Sequence, residues 1–526
     1  MSFTEQHRVD PRQVGLVDIG SNSVRFVVYD AVARAPMVKF NEKAMCGLGR
    51  GLKVDGNLGD AETAATLKAL ARYFGLARAM GLEAVDVFAT EAVRAAANGA
   101  AFVAEIEQRF GVKVAVLTGE AEGRYAGFGV FSHFPDARGV AGDLGGASLE
   151  LCELHPGAGG DGRIERATTF PFGPFRRPEK LARKGDPRAL VEPIGAAFPD
   201  GAMGGDFYAV GGAWRAFAKL AMARLDHDFR IVEGYALDAE TAHDIAQDVA
   251  RAGELSPAER AVVAKRRQET LPSAAFVLAA ALRALAPARV VFSAGGVREG
   301  RLFTRLSAAE RRRDPLIEAA RRYGGVESRF GRVGAELVDW TAPLFADEER
   351  AAARLRVAAC HLSDVAWSTH PDYRDEYALD RVLHLPLPGL SHRERGWLAL
   401  AVYARYRGDL DRPQAREALT LAGDGSERAL LLGQALQLAY RLSGATAHLI
   451  AASRLERAAD RLVLVLPDDG SLPLGDAVER RLEALAKAVG AESFEIRYAD
   501  TNGAATGDDT RPHAVAFRTM GDAAGC

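Results

Sequence analysis

One polar hairpin, written twice, constrains this chain more than any other feature. LVDIGSNSVRFVVYD, beginning at Leu16, sets an aspartate, a glycine, an asparagine and two serines between apolar runs. GVAGDLGGASLELCEL, beginning at Gly139, repeats the order: a strand ending in Asp, a Gly-rich corner, and a Ser opening the next strand. Asp18-Ile19-Gly20-Ser21-Asn22-Ser23 aligns with Asp143-Leu144-Gly145-Gly146-Ala147-Ser148 without a gap, 125 residues on (143 − 18). A turn of this composition can aim successive backbone N–H groups inward, and its small residues let the main chain approach an oxyanion closely. Asn22, Ser23 and Ser148 add amide and hydroxyl donors. The aspartates, Asp18 and Asp143, suit a hard cation such as Mg2+, which prefers carboxylate and phosphate oxygens. An ordinary turn would explain either loop alone. Two matched copies, each opening an α/β run, favour two lobes clasping one phosphate chain.

The rest of the chain follows from where the hairpins stand. A length of 526 residues exceeds one core. After the first hairpin a third strand is expected near Met37 to Met45, then helices alternating with β-rich runs at Val85 to Ala89 and Val112 to Leu117. After the second hairpin, strands are expected at Arg163 to Phe170, Phe207 to Val210 and Arg289 to Phe292. This predicts two tandem α/β domains, over residues 1–136 and 137–310. Strand signals then fade. From Glu318 to about Arg457 the pattern is amphipathic helix broken by short Pro/Gly stretches, giving an all-α domain over 311–457. Strand, helix and strand from Arg461 predict a small α+β unit over 458–526.

Composition narrows the function classes. A formal net charge of −3 argues against a large nucleic-acid-binding surface, so any polyanion site must be built locally. The four cysteines, Cys46, Cys152, Cys360 and Cys526, show no C-x-x-C spacing, which predicts neither zinc site nor disulfide framework and fits a reducing cytoplasm. The N-terminus lacks an apolar signal core, and SAAFVLAAALRALAPA is interrupted by Arg283 and short for a membrane span. No G-x-x-x-x-G-K-[ST] occurs, which speaks against a P-loop NTPase.

Further stretches are candidates for anion or ion binding. Gly211-Gly212 follows the strand FYAV and Gly295-Gly296 follows VVFSA, each a corner leading into a helix whose N-terminus can seat an anion; a plain βα turn is the alternative. RRPEKLARKGDPR, from Arg176, and RRR, at Arg311, are candidate paths for a long polyanion, or solvated faces. His361, Asp364, His370 and His384 cluster within CHLSDVAWSTHPDYRDEYALDRVLH. His361 and Asp364 would share a helical face and could hold an ion, or form a pseudo-site.

Five motifs in order, VFATEAVRAAANG, LTGEAEGRYAGFGV, GDLGGASLEL, AVGGAWRAFAKL and SAGGVREGRLF, resemble those of the exopolyphosphatase and guanosine pentaphosphate phosphohydrolase family, within the actin-like ATPase superfamily. The resemblance implies two actin-like (ribonuclease H-like) domains, followed by a helical part similar to HD-type metal phosphohydrolases. It departs from the HD pattern at HLSD, where two residues separate His361 from Asp364. It implies that Glu122 of the G-x-x-E segment orients the attacking water, with a helix-capping role as the alternative, and that Glu120 is less suited. Glu150 resembles a second catalytic or metal-linked carboxylate, and Arg94 a phosphate-contacting arginine. Gly20, Ser21, Asn22, Ser23, Gly145, Gly146, Ala147, Ser148 and both Gly-Gly corners would grip phosphate. Asp18, Asp143 and Glu150 would serve Mg2+. The activity implied is release of terminal orthophosphate from inorganic polyphosphate. Guanosine pentaphosphate is the second substrate reading, and a noncatalytic phosphate or nucleotide sensor the binding alternative. A homodimer is implied, and neither nucleic acid nor membrane is expected as a partner.

Overall fold

Apolar residues flanking the first polar loop form β1 (Val14–Ile19) and β2 (Val24–Tyr29), followed by β3 (Val38–Ala44), β4 (Ala84–Ala89) and β5 (Val114–Val116). The computed structural model describes residues 13–50, 56–157, 162–176, 178–180, 187–227, 229–406, 410–458, 460–472 and 474–499. The first sheet runs β3-β2-β1-β4-β5, antiparallel through β1, β2 and β3 and parallel from β1 to β4 and β5. β1 and β2 are covered on both faces, which is why they read as continuous apolar runs and not as alternation.

The second copy repeats this plan. β6 (Gly139–Leu144), β7 (Leu149–His155) and β8 (Arg163–Phe170) form the antiparallel meander, and β9 (Asp206–Val210) pairs parallel to β6. A three-residue strand, β10 (Ala236–Asp238), adds an antiparallel edge to β11 (Arg289–Phe292), which itself lies parallel to β9. The sheet order is β10-β11-β9-β6-β7-β8. The two α/β domains expected in tandem thus share one plan, a three-stranded antiparallel meander extended by parallel strands. β10 escapes periodicity because three residues carry too little pattern to read.

Both sheets belong to one compact unit that runs to Ala319 and takes in Pro386–His392. Its cores are layered between sheet and helix: Phe26, Leu70, Tyr73 and Phe74 in the first lobe, and Phe207, Trp214, Phe217 and Phe292 in the second. Trp214 is wholly buried and satisfies its indole by donating to the Ala274 carbonyl (3.1 Å). Ala274 belongs to the alanine-rich helix Leu271–Leu285, which is core. No described helix is long and apolar enough to cross a membrane.

The second unit, Ala320–Leu385 with the chain from Arg393, contains the helices and a third sheet. That sheet is β12 (Arg454–Arg457), β13 (Arg461–Pro467) and β14 (Ser493–Ala499), with the helix Asp476–Ala488 between the last two. Residues 454–457 are strand where the sequence pattern reads as helix. The short RLER segment pairs antiparallel with β13 and buries only Leu455, so its structure comes from the partner strand and not from its own period.

Candidate active site

The two hairpin loops close alike. Gly20 N–H donates to the Ser23 carbonyl at 3.1 Å, and Gly145 N–H to the Ser148 carbonyl at 3.0 Å. Both loops line one cleft of about 190 Å³, to which Asp18, Ser21 and Asn22 contribute from one side and Asp143, Gly146 and Ser148 from the other. They nearly touch: a Cβ built on Gly146 would stand 3.8 Å from that of Ser21. Gly20, Ser23 and Gly145 also line the cleft, whereas Ala147 does not; its carbonyl accepts from Gly173 N–H (3.1 Å) in the segment that follows β8.

Glu122 enters this cleft from the helix Gly119–His133. Thr118 caps that helix by accepting from Ala121 N–H (3.1 Å), so capping does not occupy Glu122. Arg94 Nη1 lies 3.4 Å from Glu122 Oε2 and also donates to the Leu117 carbonyl. Burial raises Glu122 well above the usual carboxylate range, and Glu150, Asp143 and Asp18 add to that against the pull of Arg94. Glu120 instead points along the helix surface to Arg124 (3.1 Å).

Asp143 is pushed up to about 6, chiefly by burial. Asp18 is raised for the same reason, although Arg298 Nη1 stands 3.2 Å from its Oδ2. Glu150 is 1% exposed and lies behind the cleft wall. It accepts from Thr169 Oγ1 (2.9 Å) and pairs with the Ser148 hydroxyl, and burial lifts it to about 8. Glu150 therefore acts on Glu122 and Asp143 through charge, one layer back from the space they share.

The first Gly-Gly corner is required by geometry. Gly211 has φ +100°, and a Cβ there would fall 2.6 Å from the Leu144 carbonyl oxygen and 2.8 Å from Asp143 Oδ1. Gly212 opens the helix Gly212–Arg224 against the Arg267 guanidinium. In the second corner Gly296 lines the cleft, with its Cβ position 4.0 Å from Asp143 Oδ2. Gly295 turns away from the cleft lining and donates to Ser293 Oγ (3.1 Å).

Two matched loops, two Gly corners and the Glu122 carboxylate thus converge in one cleft. The chain matches the model of the Ppx/GppA phosphatase family over residues 27–157 and 203–309, and that of the exopolyphosphatase C-terminal domain over 316–495. The chain belongs to the Ppx/GppA phosphatase family. It is similar to "Retrograde regulation protein 2" of Saccharomyces cerevisiae, 26% identical over 468 residues covering 79% of this chain and 76% of the relative. It is also similar to "Exopolyphosphatase 1" of Mycobacterium tuberculosis, 25% identical over 350 residues covering 63% and 97%. A shorter match, 29% identical over 138 residues covering 26% and 28%, is to "Guanosine-5'-triphosphate,3'-diphosphate pyrophosphatase" of Pseudoalteromonas translucida.

The cations of this Ppx/GppA cleft are not those of the basic runs. Lys43, Arg215, Arg267 and Arg298 line it. Lys43, on β3, is brought down to about 8 by desolvation and by the fields of Arg267, Arg266, Arg25 and Arg298. Arg215 is lowered by burial and by Arg298. Arg267 is lowered in the same way, by burial and by Arg215 and Arg266, whereas Arg298 is held up by Glu299 and Asp18. Arg215 and Arg298 had a readable signal, since each falls in the first turn after a Gly-Gly corner. Lys43 and Arg267 had none.

Of the basic runs, Arg176 pairs with Glu91 (2.8 Å), and residues 177 and 181–186 lie outside the described residues. Arg311, at the end of the helix Ala308–Arg311, reaches back to the end of the preceding helix, Val297–Phe303, donating to the Thr304 carbonyl (2.7 Å) beside the Phe303 ring, and does not line the cleft. In the second unit, Asp364 is clamped by Arg329 (2.9 and 2.6 Å) and Arg405 (3.0 Å). His361 accepts from Arg321 (3.3 Å) and is pushed down to about 4 by burial, while His370 and His384 are exposed. Guanidinium groups fill the place an ion would take, so the four residues do not converge. Among the described residues the group whose ligand atoms do approach one another is Glu153, His155 and Glu165, on β7 and β8.

Proposed function

We propose that this chain is a cytoplasmic Mg2+-dependent hydrolase that removes terminal orthophosphate from inorganic polyphosphate. The observation that carries this reading is Glu122: a carboxylate only 12% exposed, held by Arg94, in a cleft between two matched loops. Phosphoryl transfer to water needs in-line positioning, neutralisation of charge and one acceptor for the water proton. In the proposed sequence of events the terminal phosphate lies between the backbone N–H groups of the loops around Ser21 and Gly146, its bridging neighbours against Lys43, Arg215 and Arg267. Glu122 takes the proton of the water that attacks it.

Asp18 and Asp143 fit a hard divalent ion. Both are cleft-lining carboxylates, both are raised by burial and drawn back down by Arg298, and the charge of Asp18 adds to the rise of Asp143. Mg2+ bound there would neutralise phosphate charge. Glu150 would tune Asp143 from behind. The raised position of Glu122 has a functional logic: a carboxylate lifted toward neutrality is a stronger base once ionised.

The relative named for guanosine pentaphosphate supports the same chemistry on the 5′ end of that nucleotide as the second reading. Orthophosphate release from long polyphosphate, guanosine pentaphosphate and ATP by the purified protein tests both. Release from polyphosphate at the highest kcat/KM supports the first reading, and release from none rejects hydrolysis.

A further inference from the structure

On the side of β4 the cleft is bounded by a contact between the lobes. Glu91 begins the short helix Glu91–Ala95 after β4, lines the cleft, and is 7% exposed. Its Oε2 accepts from Ser21 Oγ of the first loop (3.2 Å) and its Oε1 from Arg176 Nη2 of the second lobe (2.8 Å). Arg176 is fixed in turn. Phe175 N–H donates to the Gly146 carbonyl (2.9 Å), Arg176 N–H to the Gly173 carbonyl (2.9 Å), and a Cβ on Gly146 would meet the Phe175 ring at 2.8 Å. Ser21, Glu91, Phe175 and Arg176 thus form a continuous wall.

The other end of the cleft is cationic. Lys43 on β3 and Arg25 on β2 stand on the opposite side of β1 from β4, and the fields of Arg266 and Arg267 reach Lys43 there. A polyanion is drawn in from that side. Glu91 and Arg94 lie three residues apart on one helix, so the wall and the arginine that holds Glu122 are a single turn from each other.

We infer that the Glu91–Arg176 contact is an end-stop that confines cleavage to the last phosphate of a chain, a specificity device resting on the hydrolase reading above. A phosphate pushed past Glu122 meets the Glu91 carboxylate, whose two oxygens are already taken. The chain therefore halts with only its terminal phosphorus in front of the water. Without the wall, a chain can run through and an internal P–O–P bond can lie at Glu122. Water then splits it into two shorter chains, each with a new terminal phosphate.

The test compares free-ended polyphosphate with polyphosphate whose two terminal phosphates are blocked as alkyl phosphoramidates. Chain length is read on gels and orthophosphate is measured alongside. The parent protein is expected to release orthophosphate from free ends and to leave blocked chains intact. Glu91→Ala and Arg176→Ala are expected to cut blocked chains to intermediate lengths at least tenfold faster than the parent. Glu91→Gln keeps the side chain's size and guards against a folding failure; it is expected to show the same change to a smaller extent. Variants that still release orthophosphate but leave blocked chains intact overturn the end-stop alone, as does a parent that cuts them. A parent that releases no orthophosphate from free ends overturns the hydrolase reading and the end-stop with it.

Discussion

Arg25 and Glu150 hold the same position in two matched hairpins, each directly across the strand pair from the aspartate that faces the cleft. In the first lobe the pair is Asp18 with a cation; in the second it is Asp143 with another acid. The duplication is therefore symmetric in backbone and asymmetric in charge, and both acids of the second pair raise Glu122.

That asymmetry makes a stability prediction. Asp143 titrates near 6 in the folded protein, above the ordinary carboxylate value, so between about pH 4 and 6 the folded state binds more protons than the unfolded state. Stability from this group is present below that window and lost as pH rises through it. In divalent-free buffer, Asp143→Asn should raise Tm at pH 8 by a few degrees, at roughly 2–4 °C per kcal/mol for a domain of this size. The two proteins should converge at pH 4. Thermal melts at the two pH values check it, and a gain independent of pH would reject the charge argument.

Lys43 makes the cleft pH-sensitive in the other direction. It is cationic below about 8 and neutral above, so kcat/KM for polyphosphate should fall as pH rises through that value. The expected fall is about fivefold, the ~1 kcal/mol of one contact charge pair in a solvated cleft. Lys43→Arg should abolish the fall, because a guanidinium stays charged. Lys43→Ala should lower kcat/KM below pH 8 and flatten the profile.

Gly211 tests the corner. Its φ of +100° and the approach of Leu144 and Asp143 leave no room for a methyl group. Gly211→Ala should destabilise the fold by about 1–3 kcal/mol, measured by urea denaturation. It should also raise KM, because relief of the clash moves the Asp143 loop.

Asp364 belongs to a different argument. Removing it leaves Arg405, 9% exposed at its side chain, without its buried carboxylate. Asp364→Ala should cost about 3–5 kcal/mol in denaturant unfolding, with orthophosphate release by the folded protein unchanged.

The hairpins, their shared register and the strands that follow were legible because each rests on local pattern: apolar runs, Gly corners and the spacing of Asp from Ser. Glu122 was legible as a carboxylate in a helix's first turns, with Thr118 then taking the capping role that was its alternative. What stayed hidden depends on partners distant in sequence. β10 and β12 exist through their neighbours, Lys43 and Arg267 meet only when two lobes face each other, and Glu91 gains its meaning from Arg176. The HLSD segment shows the reverse: a local likeness to an ion site, cancelled by Arg329 from the bend after the helix Pro315–Val326 and by Arg405 from the helix His392–Tyr406.

The central claim is that one carboxylate aims water at a phosphate held between the two loops, and Glu122→Gln measures it directly. Glutamine keeps the shape and removes the base, so kcat for orthophosphate release should fall at least about 100-fold while equilibrium binding of polyphosphate stays within a few-fold of the parent. Turnover by the variant at the parental rate would contradict the account.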